Sequence, residues 1–550
     1  SALLALPLLA SAGEGTAIPS KPNIIILYAD DLGYGDLVCY NPKSPIPTPN
    51  LDALASQGMR FTDAHSSSGI CTPSRYALLT GRHHWRDFHN IVNSFEPSVF
   101  PKGRLTMAGM LQAEGYRTAA MGKWHLGWDW PIAPEQRKLF QVPRPAGKND
   151  EATPSIASVT ASPAHLAAWR EVFAKPIAGG PTTRGFDTYF GTDIPNWPPF
   201  CFIENDRTLG IPSEFLPASG LVKNQASVPG PALKDWKLEP ILPALGDRAS
   251  AFITDAATRP EPFLLYLPLT SPHTPLAVNE EWKNKSRLNL YADFVMETDA
   301  VVGRVLAALE KSGAAANTLV IFTSDNGCAP YIDVAGLEAM GHFPSGPLRG
   351  YKADAWEGGH RVPFIVRWPG HVKPGSVSAQ LVQQSDLMAT FAAVLGSKLP
   401  DHAGEDSVSL LPALLGNDRA ALREAVVHHS INGMFAIRQG AWKLEFCPGS
   451  GGWDKNPSDA AARAAGLLQS ASVDVAHAGT HVVQCLVGLL ACVGGFLLDD
   501  ADQRTDLLGR LGELLDEPGA VGHVRLFLAG EAHEGMHLAL AHPARRNAVE

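Results

Sequence analysis

Four apolar runs of strand length constrain the fold of this chain more than any other feature. They lie at 22–29 (PNIIILYA), 262–275 (PFLLYLPLTSPHTP), 317–327 (NTLVIFTSDNG) and 361–370 (RVPFIVRWPG). Continuous apolar runs are typical of strands buried on both faces of a parallel sheet. Helical patterns at 48–61 and 291–313 lie between them. This alternation predicts an α/β fold, with a mostly parallel sheet flanked by helices.

Polar side chains follow two of these runs directly. Asp30 and Asp31 come after the run at 22–29, and Asp325 and Asn326 end the run at 317–327. Ligands of open α/β sheets bind at the carboxyl ends of the strands. Carboxylate and amide oxygens are ligands for hard divalent cations, with Ca²⁺ favoured over Mg²⁺ where most ligands come from the protein. The sequence therefore predicts a metal site formed by these four residues.

The stretch CTPSRYALLTGR at 71–82 places a cysteine at the predicted start of a helix. Proline is tolerated in a first helical turn, as at Pro73. Cys71 would then lie at the helix N-terminus, which favours anions. Arg75 lies four residues on, on the same helical face, and its planar cation suits a tetrahedral oxyanion. The alternative to such an anion site is that Cys71 is a buried structural thiol and Arg75 a surface residue.

Further ionisable residues occur in segments predicted to lie near strand ends. MGKWHLG at 121–127 contains Lys123 and His125, which share a face if the segment is extended. SPHTP contains His273, and RGYKADAWEGGHR contains Lys352. Each of them alone is ordinary, and together with the carboxylates and Cys71 they indicate an active site.

These motifs resemble those of the sulfatase family. CTPSRYALLTGR matches the sulfatase signature Cys-x-Pro-Ser-Arg-x-x-x-Leu-Thr-Gly-Arg, and DDLGYGD, GKWHLG, SDNG and K-x-x-x-x-EGG-x-R-x-P accompany it in the family's order. The resemblance covers roughly residues 21–450 and is closest to the arylsulfatase A and N-acetylgalactosamine-6-sulfatase branch. It implies the alkaline-phosphatase-like α/β fold, and an enzyme that hydrolyses sulfate esters of aryl compounds or glycans.

The resemblance also implies two groups that the chain does not encode directly. Cys71 would be oxidised to formylglycine by a formylglycine-generating enzyme that reads Cys71, Pro73 and Arg75. One Ca²⁺ would be held by the four strand-end residues, Asp30, Asp31, Asp325 and Asn326. The hydrated aldehyde of residue 71 would then attack sulfur, and its second hydroxyl would allow the sulfate to be expelled.

The same resemblance assigns roles to the remaining residues. Lys123, Lys352 and Arg75 would neutralise the sulfuryl oxygens. His273, with Lys352, would protonate the leaving alcohol, and His125 would take a proton from the second hydroxyl. Arg82 would brace the helix that begins at Cys71.

Composition limits the class of protein and its partners. The 550 residues carry a formal net charge of −10, which argues against a nucleic-acid partner. Residues 1–20, SALLALPLLASAGEGTAIPS, resemble the remnant of a secretory signal, which predicts export to the periplasm or medium. The run CLVGLLACVGGFLL at 485–498 is too short for a membrane span. Seven cysteines with sparse spacing do not indicate a disulfide framework, and Cys71 is the candidate for the unpaired one.

We expect a catalytic domain at 21–430 and a smaller α+β region at 431–550, which begins with a hairpin at 434–446. The family's usual C-terminal segment is missing, and the tail is atypical from about residue 465, as after a frame change or in a divergent tail. This tail contains HEGMH at 533–537, which fits the zinc-protease pattern. Long Pro-rich surface excursions are expected at 130–182 and 195–245.

Three alternatives to the sulfatase interpretation are open from the sequence. One is a phosphonate monoester or phosphodiester hydrolase of the same superfamily, and another is a non-catalytic glycan-binding relative. A third is a metalloprotease built on the tail motif. In the excursions, Trp130, Trp197 and Phe200 are candidates for stacking on sugar rings, although aromatic residues in such loops more often serve local packing.

Overall fold

The computed structural model describes residues 21–141, 160–220, 227–417, 420–447 and 449–454, and the backbones of two strands nearer the C-terminus. The strands of the described residues, in chain order, are β1 (Asn23–Ala29), β2 (Met59–Phe61), β3 (Ala64–His65), β4 (Arg117–Lys123), β5 (Thr188–Thr192), β6 (Ile203–Glu204), β7 (Arg207–Thr208), β8 (Glu214–Leu216), β9 (Gly230–Ala232), β10 (Phe263–Pro268), β11 (Thr318–Ser324), β12 (Phe364–Arg367), β13 (Ser376–Ser378), β14 (Val382–Gln383), β15 (Val426–His429), β16 (Phe435–Gln439), β17 (Trp442–Glu445), β18 (Arg525–Ala529) and β19 (His537–Ala541).

The α-helices of the same residues are α1 (Pro49–Gln57), α2 (Cys71–Thr80), α3 (Met107–Ala113), α4 (Pro163–Phe173), α5 (Ile241–Ala256), α6 (Leu290–Lys311), α7 (Val334–Ala339), α8 (Glu357–His360), α9 (Leu387–Leu395) and α10 (Leu411–Leu414). The patterns at 48–61 and 291–313 thus form helices. The first is shorter than predicted, because the chain enters β2 two residues after α1 ends.

A ten-stranded sheet, in the order β13-β2-β12-β11-β1-β10-β4-β5-β6-β7, organises the molecule. Its central strands, from β11 to β5, are all parallel. The predicted α/β sheet is confirmed, and the sheet is mixed because β12 runs antiparallel to both β11 and β2. The parallel centre brings the carboxyl ends of five strands to one edge, where ligands of such sheets bind.

The sheet has a hydrophobic core on each face, because successive side chains of a strand point to opposite sides. Ile24, Ile26 and Tyr28 of β1 belong to one core cluster, and Ile25 and Leu27 belong to the other. Helices α2, α3 and α9 contribute to the first cluster, and α1, α5 and α6 to the second. With helices on both faces, β1 can be apolar throughout, as its sequence indicated.

The C-terminal part of the described chain forms a small antiparallel sheet of β15, β16 and β17. The predicted hairpin is confirmed: β16 pairs with β17 across Gly440, whose φ of 56° is in the left-handed region that favours glycine. The sheet begins at Val426, slightly before the expected division at 430, and this division stays a prediction. The expected signal at 1–20 and most of the atypical tail lie outside the described residues.

The two expected excursions contribute to the core as well as to the surface. Trp169 and Val172 of α4 are buried in the first core cluster, and Leu245 of α5 is buried in the second. Trp130 and Phe200 are also buried, with 8% and 1% exposure, so these two aromatic residues serve local packing, the alternative that the sequence favoured over sugar stacking. Proline and alanine dominate the composition of these two segments, so the few large apolar residues that determine their packing were hard to recognise from the sequence.

Candidate active site

Four polar side chains meet where β1 and β11 end. These strands pair in parallel with Ala29 opposite Ser324, so the residues that follow them are side by side. All four, Asp30, Asp31, Asp325 and Asn326, are buried, with at most 1% exposure. The backbone N–H of Asp31 donates to Asp325 Oδ1 (3.1 Å), and Asn326 Nδ2 donates to Asp31 Oδ1 (2.7 Å). The structure thus brings together the four predicted metal ligands.

The donor set fits a hard divalent cation. Three buried carboxylates in one place disfavour one another's ionisation. The pKa of Asp325 is raised, by burial and by the neighbouring charge of Asp30. Asn326 Oδ1 is buried and has no hydrogen-bond partner among the described residues, which is costly for an amide oxygen. A bound cation would satisfy this oxygen and balance the carboxylates.

Cys71 is the first residue of α2 and is fully buried. Its Sγ lies 3.5 Å from Asp30 Oδ1, and 3.6 Å from both Lys123 Nζ and Lys352 Nζ. Burial, followed by the charge of Asp325, raises the pKa of the thiol, and the two lysines only partly oppose this. An unmodified Cys71 is therefore a protonated thiol at neutral pH, and a poor nucleophile despite its position.

Arg75 follows one helical turn after Cys71 and contacts the carboxylates. Its Nη2 and Nε donate to Asp325 Oδ2 at 2.8 and 3.1 Å, and Nη1 donates to the carbonyl of Lys123 at 3.1 Å. Nη2 also lies 3.3 Å from Asp30 Oδ1. The guanidinium group is thus held mainly by the strand-end carboxylates, and it fixes their positions relative to the start of α2.

Two buried ammonium groups flank Cys71. Lys123 is the last residue of β4, and its Nζ lies 2.7 Å from Asp30 Oδ2. Lys352 Nζ lies 2.7 and 2.8 Å from the two carboxylate oxygens of Asp31. Burial opposes the charge of Lys352, but Asp31 outweighs it and holds the pKa of this lysine well above its usual value. Lys352 is therefore charged at neutral pH and can bind an anion beside Cys71.

The two candidate histidines differ in their hydrogen bonding. His125 has a positive φ of 55°, and its Nε2 lies 3.0 Å from the carbonyl oxygen of Val92. Nε2 must donate there, which leaves a lone pair on Nδ1, a buried atom with no partner in the described part of the chain. Burial, with Lys123 and Arg75, holds the pKa of His125 well below its usual value. His125 is therefore a neutral base with a fixed tautomer.

His273 lies on the other side of the site. Its Nε2 is 3.6 Å from Asp31 Oδ2, and its Nδ1 bonds to the carbonyl of Thr274. Burial and the charge of Lys352 lower the pKa of His273 to about 4. A ring nitrogen of His273, Cys71 Sγ and carboxylate oxygens of Asp30 and Asp31 all lie within 4.8 Å of one another. The structure thus brings all ten predicted site residues together.

Sequence reasoning missed Asp193. It directly follows β5, and its Oδ1 accepts a hydrogen bond from the backbone N–H of His125 at 3.3 Å. Burial raises the pKa of Asp193 to about 7. The signal was present in the sequence, because Asp193 follows a strand in the same way as Asp30 and Asp325. The run DTYFGTD was too short and too polar to be recognised as a strand.

Three further candidates from the sequence, Arg82, Trp197 and the HEGMH motif, lie outside this group of ten residues. Arg82 pairs with Asp87 (3.0 Å) and Glu405 (2.8 Å), as expected for a residue that braces the end of α2. Trp197 is half-buried, and its ring centroid lies 6.4 Å from that of His125. In HEGMH, only His537 belongs to the described residues, and it begins strand β19. The described helices include none long and apolar enough to cross a membrane.

A second buried cluster joins the small sheet of β15, β16 and β17 to β3 and α8. Ring nitrogens of His65, His360 and His428 lie within 4.8 Å of one another. The rings of His360 and His428 stack at 3.6 Å and 12°, so their in-plane lone pairs run nearly parallel and do not converge on one ion. Lys443 Nζ lies 2.7 Å from His360 Nε2 and opposes a further cation. We therefore interpret this cluster as a polar packing network.

Comparison with known proteins gives the same family throughout. The family model for sulfatases matches residues 22–397, and that described as N-sulphoglucosamine sulphohydrolase, C-terminal, matches residues 352–445. An N-acetylgalactosamine-6-O-sulfatase of Bacteroides thetaiotaomicron is 35% identical over 443 residues, which are 77% of this chain and 82% of that protein. Human arylsulfatase A is 32% identical over 474 residues, which are 84% of this chain and 82% of that enzyme.

A solved structure from work on the metabolism of multiple glycosaminoglycans by Bacteroides thetaiotaomicron agrees with the fold. It has a TM-score of 0.64 and 32% identity, and the match covers 77% of this chain and 88% of the other. The predicted alkaline-phosphatase-like fold class is thereby confirmed. Relatives of this similarity are sulfuric ester hydrolases, and the motifs that suggested such an enzyme lie together at one edge of the sheet. The chain belongs to the sulfatase family, of the arylsulfatase type.

Proposed function

We propose that this sulfatase hydrolyses sulfate esters of glycans with formylglycine derived from Cys71 and one Ca²⁺ held by Asp30, Asp31, Asp325 and Asn326. The observation that carries the proposal is the position of Cys71 Sγ, 3.6 Å from each of two buried lysine ammonium groups and 3.5 Å from Asp30. A thiol there is protonated and unreactive. The surrounding charges suit a different, oxygen-based nucleophile and an anionic substrate.

The chain's own residues bind and orient the sulfate group. Formylglycine supplies a hydrated aldehyde as the nucleophile, and Ca²⁺ supplies a Lewis acid. Lys123 and Lys352 stand on either side of residue 71 and neutralise the sulfuryl oxygens as negative charge develops on them. Arg75 contributes mainly by holding Asp325 and Asp30 in place, since most of its donors contact these carboxylates and the carbonyl of Lys123.

Proton transfer is divided between the two histidines. His125, neutral and with its Nδ1 lone pair free of partners in the described chain, acts as the base that takes a proton from residue 71. His273 supplies the proton to the leaving alcohol. Burial is the main reason for the low pKa of His273, and the charge of Lys352 lowers this pKa further. A bound sulfate ester would offset that lysine's charge and raise the pKa of His273 toward neutrality.

The substrate class follows from the relatives. A bacterial relative at 35% identity is named for N-acetylgalactosamine 6-O-sulfate, and a matching structure comes from work on glycosaminoglycans. We propose a sulfated glycan or its sugar units as the natural substrate. Export to the periplasm or medium, proposed from residues 1–20, would bring the enzyme to such polymers. Maturation would require a formylglycine-generating enzyme as a transient partner.

The test is a mass spectrum of the peptide that carries residue 71, after coexpression with a formylglycine-generating enzyme, together with turnover assays. We expect the mass change from thiol to aldehyde, and hydrolysis of 4-nitrophenyl sulfate that is lost on chelation and restored by Ca²⁺. The matched control is Cys71→Ala, which removes only the buried sulfur atom and cannot be modified. Equal activity of Cys71→Ala, or faster turnover of an aryl phosphodiester than of the sulfate ester, would contradict the proposal.

A further inference from the structure

Trp453 is an exposed aromatic residue held beside the active site. Its side chain is 38% exposed, and it is the one tryptophan among the large apolar side chains that the described residues expose. It lies beyond the hairpin of β16 and β17, in the segment 449–454. A tryptophan with an exposed ring can pack on a ligand, so its surroundings decide whether Trp453 could contact a substrate.

Backbone contacts fix this segment against the loop that carries Lys352. The N–H of Ala355 donates to the carbonyl of Ser450 (2.8 Å), and the N–H of Trp453 donates to Asp354 Oδ1 (3.0 Å). At Gly452 the two backbones approach so closely that a Cβ would lie 2.3 Å from the carbonyl oxygen of Ala353. Trp453 is thus anchored one residue after a glycine that the close approach requires.

Tyr331 connects Trp453 to the catalytic groups. The two ring centroids are 5.9 Å apart, with 46° between the ring planes. Tyr331 is half-buried, and its hydroxyl group lies beside Thr274, the residue after His273. Burial raises the pKa of this hydroxyl group, and the nearby charge of Lys352 opposes the shift. Tyr331 and Trp453 therefore form an aromatic pair near the catalytic groups, and Trp453 is its exposed member.

We propose that Trp453 stacks on the sugar ring of the leaving alcohol and so forms a leaving-group subsite. This inference rests on the proposed function, because it places the sulfate between Lys123 and Lys352. A pyranose ring has an apolar face of C–H groups, which packs on an aromatic ring while its hydroxyl groups remain hydrated. The segment after the small sheet thus contributes to specificity for sulfated sugars and takes no part in the chemical step.

The experiment compares Trp453→Ala and Trp453→Phe with the modified wild-type enzyme. With N-acetylgalactosamine 6-sulfate, we expect Trp453→Ala to raise KM about tenfold with kcat nearly unchanged, and Trp453→Phe to recover most of the loss. Inorganic sulfate carries no leaving group, so it should inhibit all three enzymes with the same inhibition constant. Val377→Ala truncates a more exposed apolar side chain (50%) at the β13 edge of the sheet and is the control.

The outcomes separate the two proposals. A modified wild-type enzyme that hydrolyses no sulfate ester contradicts the proposed function itself. An active wild-type enzyme with an unchanged KM in Trp453→Ala overturns only the subsite. An effect limited to 4-nitrophenyl sulfate, or a wild type that turns over this compound but no sulfated sugar, overturns the assignment to sugars. A changed inhibition constant for inorganic sulfate shows that the substitution disturbs the sulfate site, and also overturns the subsite.

Discussion

Replacing Lys352 by methionine tests the charge balance of the site. Methionine keeps most of the side chain's length and removes its charge. Lys352 is 3% exposed, and its Nζ bonds to both oxygens of Asp31. Removing one partner of a buried ion pair costs about 3–5 kcal/mol, because the remaining charge is uncompensated. Asn326 still donates to Asp31, so we expect a loss of about 3 kcal/mol in the free energy of unfolding without metal.

Calcium should reverse most of this loss of stability. If Asp31 is a metal ligand, Ca²⁺ provides the compensating charge, and the variant should differ from wild type by only about 1 kcal/mol when metal is saturating. Catalysis should not recover, because in the proposed mechanism Lys352 also neutralises the sulfuryl oxygens. Loss of one such group typically costs about 10²–10³-fold in kcat. The variant would then be stable with Ca²⁺ and nearly inactive.

The assay is urea unfolding with chelator and with Ca²⁺, combined with kcat for 4-nitrophenyl sulfate. Lys443→Met is the matched control, because Lys443 is 8% exposed and bonds to Glu357 Oε1 (3.0 Å) in the histidine network. It should lose stability equally with and without Ca²⁺, and keep its kcat. The reasoning is refuted if Lys352→Met is destabilised to the same extent in both conditions, or if its kcat stays within threefold of wild type.

Three further predictions concern single residues. Asn326→Ala should weaken Ca²⁺ binding at least about tenfold by calorimetry, and an unchanged affinity would remove Asn326 from the ligand set. Asp193→Ala should lower kcat about tenfold because His125 loses the acceptor that holds its backbone, whereas Asp193→Asn should retain activity; equal losses would contradict a positioning role. Burial lowers the pKa of His83 to about 4, so its neutral form stabilises the fold above pH 6.5 and this contribution is lost as the pH falls toward 4. Between pH 7 and 5 this loss is about 2 kcal/mol, and His83→Gln should show a correspondingly smaller decline in urea unfolding; an unchanged decline would contradict it.

The strand-end residues could be predicted because their positions follow from local pattern alone. Asp30 and Asp325 each directly follow an apolar run, and parallel pairing of neighbouring strands brings such ends together. Cys71 was recognised for a similar reason, since Pro73 and the apolar residues after it mark the start of a helix. In each case the deciding information lies within a few residues of the site.

The remaining features depend on contacts between distant segments. Lys352 meets Asp31 across 321 residues of sequence, and no periodicity encodes that contact. The run at 361–370 was recognised as a strand, but its antiparallel direction depends on how the chain returns from α8. Trp453 belongs to a glycine-rich segment whose place beside Lys352 depends on a close approach of two backbones. Trp130 looked exposed because its Pro-rich surroundings resemble a loop.

The burial of the Cys71 segment has a consequence for the order of events during synthesis. Cys71 and Arg75 have no exposed surface, and Pro73 is buried between them. An enzyme that reads these three residues cannot reach them once α2 has packed beneath the sheet edge. If Cys71 is oxidised to formylglycine as we propose, this oxidation would have to occur on the nascent or unfolded chain, in competition with folding. A molecule that folded first would keep its thiol, so the active fraction of a preparation would show which of the two processes was faster.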